Sequence, residues 1–183
     1  MTSEFINLTK EQKIIPIIGK GTYDEINSKI NYCINKKYKI IEITMRSQFS
    51  LEAAIDLKKN HADIKIGIGS IISIEQLIEV SKYNFTFYVS PGINSKMLEF
   101  AINKNINFIP GVSSSSDIIK GIEFNYSLLK FFPSEQIGGV KMLKSLIDIF
   151  PNTEFIPTGG INKANYKSYL ELSNVIAVGS TNF

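Results

Sequence analysis

The sequence is poor in the residues that make disulfides, metal sites and membrane spans. It holds one cysteine, Cys33, so no internal disulfide can form and nothing requires an oxidising compartment. Cys33 falls in a helical pattern, where a core or half-buried thiol is expected. The one histidine, His61, lies in the polar stretch KKNHAD with no second histidine or cysteine nearby, so His61 is placed at the surface and no metal site is expected. No apolar run reaches the roughly 20 residues of a membrane span. The opening MTSEFINLTKEQK has no apolar segment behind a basic one, so neither a leader nor a membrane partner is expected. Basic runs are missing too. Twenty Lys and Arg against 17 Asp and Glu leave a charge of +3, and the lysines are spread along the chain, which argues against a nucleic-acid partner. The expected location is the cytoplasm.

What is present is enough apolar material for one sizeable core. With 183 residues and 44% hydrophobic content, a single domain over 1–183 is expected. Strand-like runs recur: IIPIIG (14–19), KIIEIT (39–44), IKIGIG (64–69), FTFYVS (85–90), NFIPGV (107–112), SLLKFF (127–132), EFIPTGG (154–160) and VIAVGS (175–180). Amphipathic stretches of helix length lie between most of them, among them TYDEINSKINYCINKK, NSKMLEFAINKN and GGVKMLKSLIDIF. Strands alternating with helices predict a parallel sheet, and their continuous apolar character predicts that both faces are covered. Eight such strands suit a (β/α)8 TIM barrel better than an open doubly wound sheet. The sequence stops at Phe183, just past the eighth strand run, so the expected barrel lacks its final helix. Ser114 and Asp117 have capping-box spacing and predict a helix start, and GTYDE predicts another, with Lys20 on the rim.

One charge sits where the pattern forbids it. Lys130 interrupts the run LLKFFPSE, and burying an ammonium costs several kcal/mol unless it is paired or neutralised. In the second strand, KIIEITMRS, side chains two apart share a face, so Glu42, Thr44 and Arg46 project together, with Arg46 nearest the mouth. Other strand ends carry Ser70, Ser90 and Pro91, Gly111, the run Thr158, Gly159 and Gly160, and the run Gly179, Ser180 and Thr181. In a parallel barrel, active groups gather at these C-terminal ends.

A desolvated lysine favours the free amine, which attacks a carbonyl to form a Schiff base whose protonated imine is an electron sink. Glu42 is the one inward carboxylate placed to shuttle protons. Arg46 would hold a substrate carboxylate by paired hydrogen bonds. PTGG and VGST expose backbone N–H groups after the last two strands, where such barrels bind phosphate. Pyruvyl chemistry on a phosphorylated sugar acid would use every part. The plainer readings are that Glu42 and Lys130 are a buried ion pair without chemistry, and that PTGG and VGST are only turns.

The ordered motifs EITMRS, GIGS, SPG, PGVS, LKFFPSE, GGVK, PTGGIN and VGST resemble the 2-keto-3-deoxy-6-phosphogluconate (KDPG) and 4-hydroxy-2-oxoglutarate (KHG) aldolases, from about residue 14 onward. The resemblance implies a class I aldolase that cleaves KDPG to pyruvate and glyceraldehyde 3-phosphate, acts also on 4-hydroxy-2-oxoglutarate, needs no cofactor or metal, and assembles as a homotrimer. It implies Lys130 as the Schiff-base lysine, Glu42 as general acid and base, Arg46 as the residue that binds the pyruvate carboxylate, and Ser70 and Pro91 as further substrate contacts; Ser70 stands where the family has threonine. It places phosphate contacts at Phe132, Thr158, Gly159 and Gly160, and at Thr181 or Ser180. The galactonate-epimer aldolase is less similar, since the arginine of EITMRS and the phenylalanine pair of KFFP are present here. Two alternatives stay open: a phosphosugar isomerase using Glu42 without covalent lysine chemistry, and a non-catalytic remnant that binds phosphorylated metabolites.

Overall fold

A computed structural model describes residues 1–183. The strands are β1 (Ile14–Ile18), β2 (Ile40–Thr44), β3 (Lys65–Gly69), β4 (Phe87–Val89), β5 (Phe108–Ile109), β6 (Gly111–Val112), β7 (Leu128–Phe131), β8 (Glu154–Phe155) and β9 (Val178–Ser180). The helices are α1 (Ser3–Gln12), α2 (Tyr23–Asn35), α3 (Ser50–Asn60), α4 (Ile74–Ser81), α5 (Ser95–Asn103), α6 (Ser115–Glu123), α7 (Gly139–Ile147) and α8 (Tyr166–Leu170). All strand pairs are parallel, in the orders β5-β4-β3-β2-β1-β9 and β6-β7-β8. Lone parallel bridges join Phe155 to Val175 and Thr158 to Gly179, linking the two groups of strands. The result is an α/β fold with a curled parallel sheet.

Each expected strand run carries a strand, but the run 107–112 carries two. Pro110 has no N–H to donate, so the ladder breaks there. The chain uses the break to change partners: β5 pairs with β4, and β6 pairs with β7. The Pro110 carbonyl still accepts from the Lys130 N–H at 2.9 Å.

Local chemistry starts the helices. Thr22 and Glu25 form a capping box at α2, Ser114 and Asp117 another at α6, and Ser73 and Asn94 cap α4 and α5 with their side chains. His61 ends α3 as a half-buried C-cap rather than a fully exposed residue. No helix is long and apolar enough to cross a membrane.

Period-2 alternation sorts the strand side chains. From β2, Ile41 and Ile43 pack outward under the helices, while Ile40 faces an inner apolar cluster with Leu128 of β7, Ile15, Phe87, Val89 and Ile109. From β7, Leu129 and Phe131 pack outward with α6 and α7. The same alternation turns Glu42, Thr44 and Lys130 inward, one step further along the strands than the apolar layer. α1 was not expected from the sequence. Its Phe5 is buried in that inner layer with ring centroids 5.0 Å from Phe87, and the Gln12 amide bonds to the backbone of Ile14, Lys39 and Ile40. The inner layer is thereby closed at the N-terminal end of the strands, and the polar groups lie at the other end.

Candidate active site

Lys130 and Glu42 meet inside the curl. The two are 88 residues apart in sequence, and Lys130 Nζ donates to Glu42 Oε1 at 3.0 Å and to Oε2 at 3.4 Å. Both are buried, at 6% and 4% relative exposure. Removing one partner would leave an uncompensated buried charge, so each holds the other in place. The Lys130 ammonium also stands 5.6 Å from the Phe132 ring centroid, a cation–π distance.

The room for Glu42 comes from a glycine. Thr44 of β2 is in register with Gly69 of β3, and a Cβ added at Gly69 would fall 2.0 Å from Glu42 Oε1. Thr44 Oγ1 donates to the Ile18 carbonyl at 3.0 Å, tying this end of β2 to β1. Beyond it, Arg46 Nε donates to Ser70 Oγ at 2.8 Å. Ser70 holds φ of 59°, a left-handed conformation uncommon for a residue with a Cβ, and that conformation goes with the hydroxyl meeting Arg46.

A cavity of about 200 Å³ opens above the ion pair, lined by Glu42, Thr44, Arg46, Lys130 and Phe132 on one side and by 158–161 and 179–181 with Ile17 on the other. Gly159 and Gly160 have φ of 99° and 78°, values glycine adopts without steric cost, and such a turn leaves backbone N–H groups free to face an anion. Ser180 Oγ donates to the Ile161 carbonyl at 2.7 Å and accepts from the Asn182 N–H at 3.0 Å. Of the two hydroxyls left open by the sequence, Ser180 therefore holds the loop, and the exposed Thr181 is freer to meet a ligand.

The fold thus brings together Lys130, Glu42, Arg46, Phe132, Thr158, Gly159, Gly160, Ser180 and Thr181 around one cavity, with Ser70 attached through Arg46. Pro91 does not line that cavity. Its backbone lies against Gly111, where an added Cβ would come within 2.3 Å of the Pro91 carbonyl carbon, and Ser90 Oγ bonds to Gly92 O at 2.6 Å. Ile17 and Ile161 complete the wall and were not expected. An apolar residue inside an apolar strand gives no local sign of lining a site. Larger clefts, about 420 and 380 Å³, open at the opposite end of the strands around Tyr126 and Ser127, and neither contains a buried charge.

A buried amine paired with a carboxylate, beside an arginine and a glycine anion cradle, suits carbonyl chemistry on a substrate with a carboxylate at one end and an anion at the other. Comparison with known proteins points the same way. The family model described as KDPG and KHG aldolase matches residues 5–183. The 2-dehydro-3-deoxy-phosphogluconate aldolase of Haemophilus influenzae is 32% identical over 182 residues, covering 100% of this chain and 86% of the relative. The KHG/KDPG aldolase of Escherichia coli is 34% identical over 168 residues, covering 92% and 79%. A crystal structure of the KDPG aldolase from Legionella pneumophila, with pyruvate captured at low pH as a covalent carbinolamine intermediate, superposes with a TM-score of 0.91 at 32% identity, covering 96% of this chain and 85% of that one. The chain belongs to the KDPG and KHG aldolase family.

Proposed function

We propose that this protein is a class I aldolase, a lyase that cleaves KDPG to pyruvate and glyceraldehyde 3-phosphate and acts also on 4-hydroxy-2-oxoglutarate. The observation that carries the proposal is the buried Lys130–Glu42 contact at 3.0 Å at the base of the cavity. Glu42 takes a proton from the ammonium, and the free amine adds to the C2 carbonyl of the substrate. Glu42 returns that proton to the carbinolamine hydroxyl, which leaves as water, so that a protonated imine stands on Lys130 and Glu42 is again a carboxylate. Glu42 then removes the C4 hydroxyl proton; the C3–C4 bond breaks, its electron pair passes to the iminium, and the aldehyde departs. Protonation of the enamine at C3 and hydrolysis release pyruvate and restore the amine. Arg46, steadied by Ser70, holds the pyruvyl carboxylate. Phe132, Thr158, Gly159, Gly160 and Thr181 receive the phosphate, with Ser180 shaping their loop. The pyruvate adduct of the Legionella pneumophila relative supports the covalent step.

The same reading extends to the assembly. The bridges from Phe155 to Val175 and from Thr158 to Gly179 support one eight-stranded (β/α)8 barrel over a single domain, 1–183, with no helix after β9 within these residues. Family likeness supports a cytoplasmic homotrimer. The test of the chemistry is mass spectrometry after treatment with pyruvate and borohydride, which should add one pyruvyl group to the peptide containing Lys130. An isomerase or a binding remnant would leave that peptide unlabelled, and labelling of another lysine would refute the assignment.

A further inference from the structure

The segment after Lys130 carries a carboxylate that the chemistry above does not use. Glu135 is exposed and does not line the cavity, yet its side chain lies between two glycine turns. A Cβ added at Gly160 would fall 2.6 Å from both Cβ and Cγ of Glu135, and one at Gly139 would fall 2.8 Å from the Tyr169 hydroxyl and 3.0 Å from Glu135 Oε1. Tyr169, from α8, has no exposed surface. Its hydroxyl donates to Glu135 Oε1 and accepts from Ser134 Oγ at 3.1 Å. Burial, and after it the Glu135 carboxylate, pushes the Tyr169 phenol up to about 12, so it remains a donor across the neutral range.

The backbone of the same segment holds the loop that leads to the anion cradle. Ser134 N–H donates to the Thr158 carbonyl at 2.8 Å, and Glu135 N–H donates to that of Gly159 at 3.1 Å. The Glu135 stem thus lies against Gly160, and the tyrosine hydroxyl holds the far end of that side chain.

We infer that Glu135 and Tyr169 are positioning residues for the phosphate end of the substrate: Tyr169 fixes the Glu135 side chain, whose stem wedges against Gly160 and holds Gly159 and Gly160 in the conformation that presents their N–H groups. This rests on the aldolase reading of the site. Glu135 and Tyr169 touch neither substrate nor Lys130, so they act through the loop alone.

The test is a double-mutant cycle on the purified full chain, read as the ratio of kcat/KM for KDPG to kcat/KM for 4-hydroxy-2-oxoglutarate. Misplacing the cradle by a fraction of an ångström to an ångström should lower this ratio about 10- to 100-fold in Glu135→Ala and in Tyr169→Phe. Borohydride labelling of Lys130 with pyruvate should stay at the wild-type rate in both, which a general loosening of the fold would not allow. Glu135→Gln, which keeps the stem and an acceptor for Tyr169, should stay within a few-fold of wild type. The double variant should lose no more than Glu135→Ala, because Tyr169 acts through Glu135. An unchanged ratio in Glu135→Ala overturns the inference even if Tyr169→Phe fails to fold, and so do additive losses in the double variant. If wild type itself shows no preference for the phosphorylated substrate while Lys130 is labelled, the anion reading of the cradle fails and this inference falls with it. If Lys130 is not labelled, the aldolase reading has failed first.

Discussion

Gly69→Ala should disable the site without replacing a reacting group. The backbone of Gly69 is ordinary extended strand, so alanine is not strained there, and the lower chain entropy of alanine slightly favours the fold. The obstruction is the carboxylate. An added Cβ would lie 2.0 Å from Glu42 Oε1 where ordinary contact begins at 3.4 Å, so Glu42 must retreat by about 3.4 less 2.0, or 1.4 Å. Its bond to Lys130 is only 3.0 Å now, and a retreat of that size takes it beyond hydrogen-bond reach. A charge-assisted bond of this kind contributes about 1.5–3 kcal/mol, and an error of 1 Å in a catalytic group can cost about 100-fold. The expected outcome is a fall in kcat/KM for KDPG of about 100-fold, with a native circular dichroism spectrum and a melting temperature lower by about 3–12 °C. Cleavage of 4-hydroxy-2-oxoglutarate should fall equally, because both substrates use Glu42. A Gly69→Ala enzyme within a few-fold of wild type would refute the packing argument and the placement of Glu42 in the reaction.

The remaining predictions probe other links. Glu42→Gln keeps the volume and removes the base, so kcat should fall by about 10²–10⁴-fold while the fold survives; steady-state cleavage of KDPG measures it. Phe5→Ala empties the plug that α1 sets against Phe87, and urea unfolding should show a loss of about 3–5 kcal/mol. Cys33 has no exposed surface and burial pushes its thiol up to about 12, so native protein at pH 8 should not react with a disulfide reagent that labels it fully in urea. The folded state holds that proton more tightly than the unfolded thiol does, with its value near 8.5. The associated stability is therefore fully present below about pH 8.5 and is lost as pH rises toward the folded value, which denaturant midpoints at pH 8 and 10 would measure.

Features set by neighbours in the chain could be read directly from the sequence. The capping boxes at Thr22 and Ser114 need partners only three residues away, so their helices start where the residues say. The two-residue period of a strand places Glu42 and Thr44 on one side wherever β2 lies in the fold, with Arg46 just past the strand end, and it makes Lys130 inward-facing once Leu129 and Phe131 face out. The glycine pairs and the odd lysine in LLKFFPSE mark the site for the same reason.

What depended on distant parts of the chain could not be read that way. The meeting of Lys130 with Glu42 joins residues 88 apart, and only the curl of the sheet brings β7 opposite β2. α1 turns only Phe5 and Thr9 into the core, too thin an apolar stripe to announce a helix, and its place is decided by the open apolar layer that Phe5 fills. Pro110 reads as part of one strand run, 107–112, until its missing N–H is seen to let the chain leave β4 and join β7. The roles of Ser180 and Glu135 depend on which backbone each meets, at Ile161 and at Gly160. Local pattern determined the inventory of inward groups; long-range closure, which no local propensity encodes, decided which of them touch.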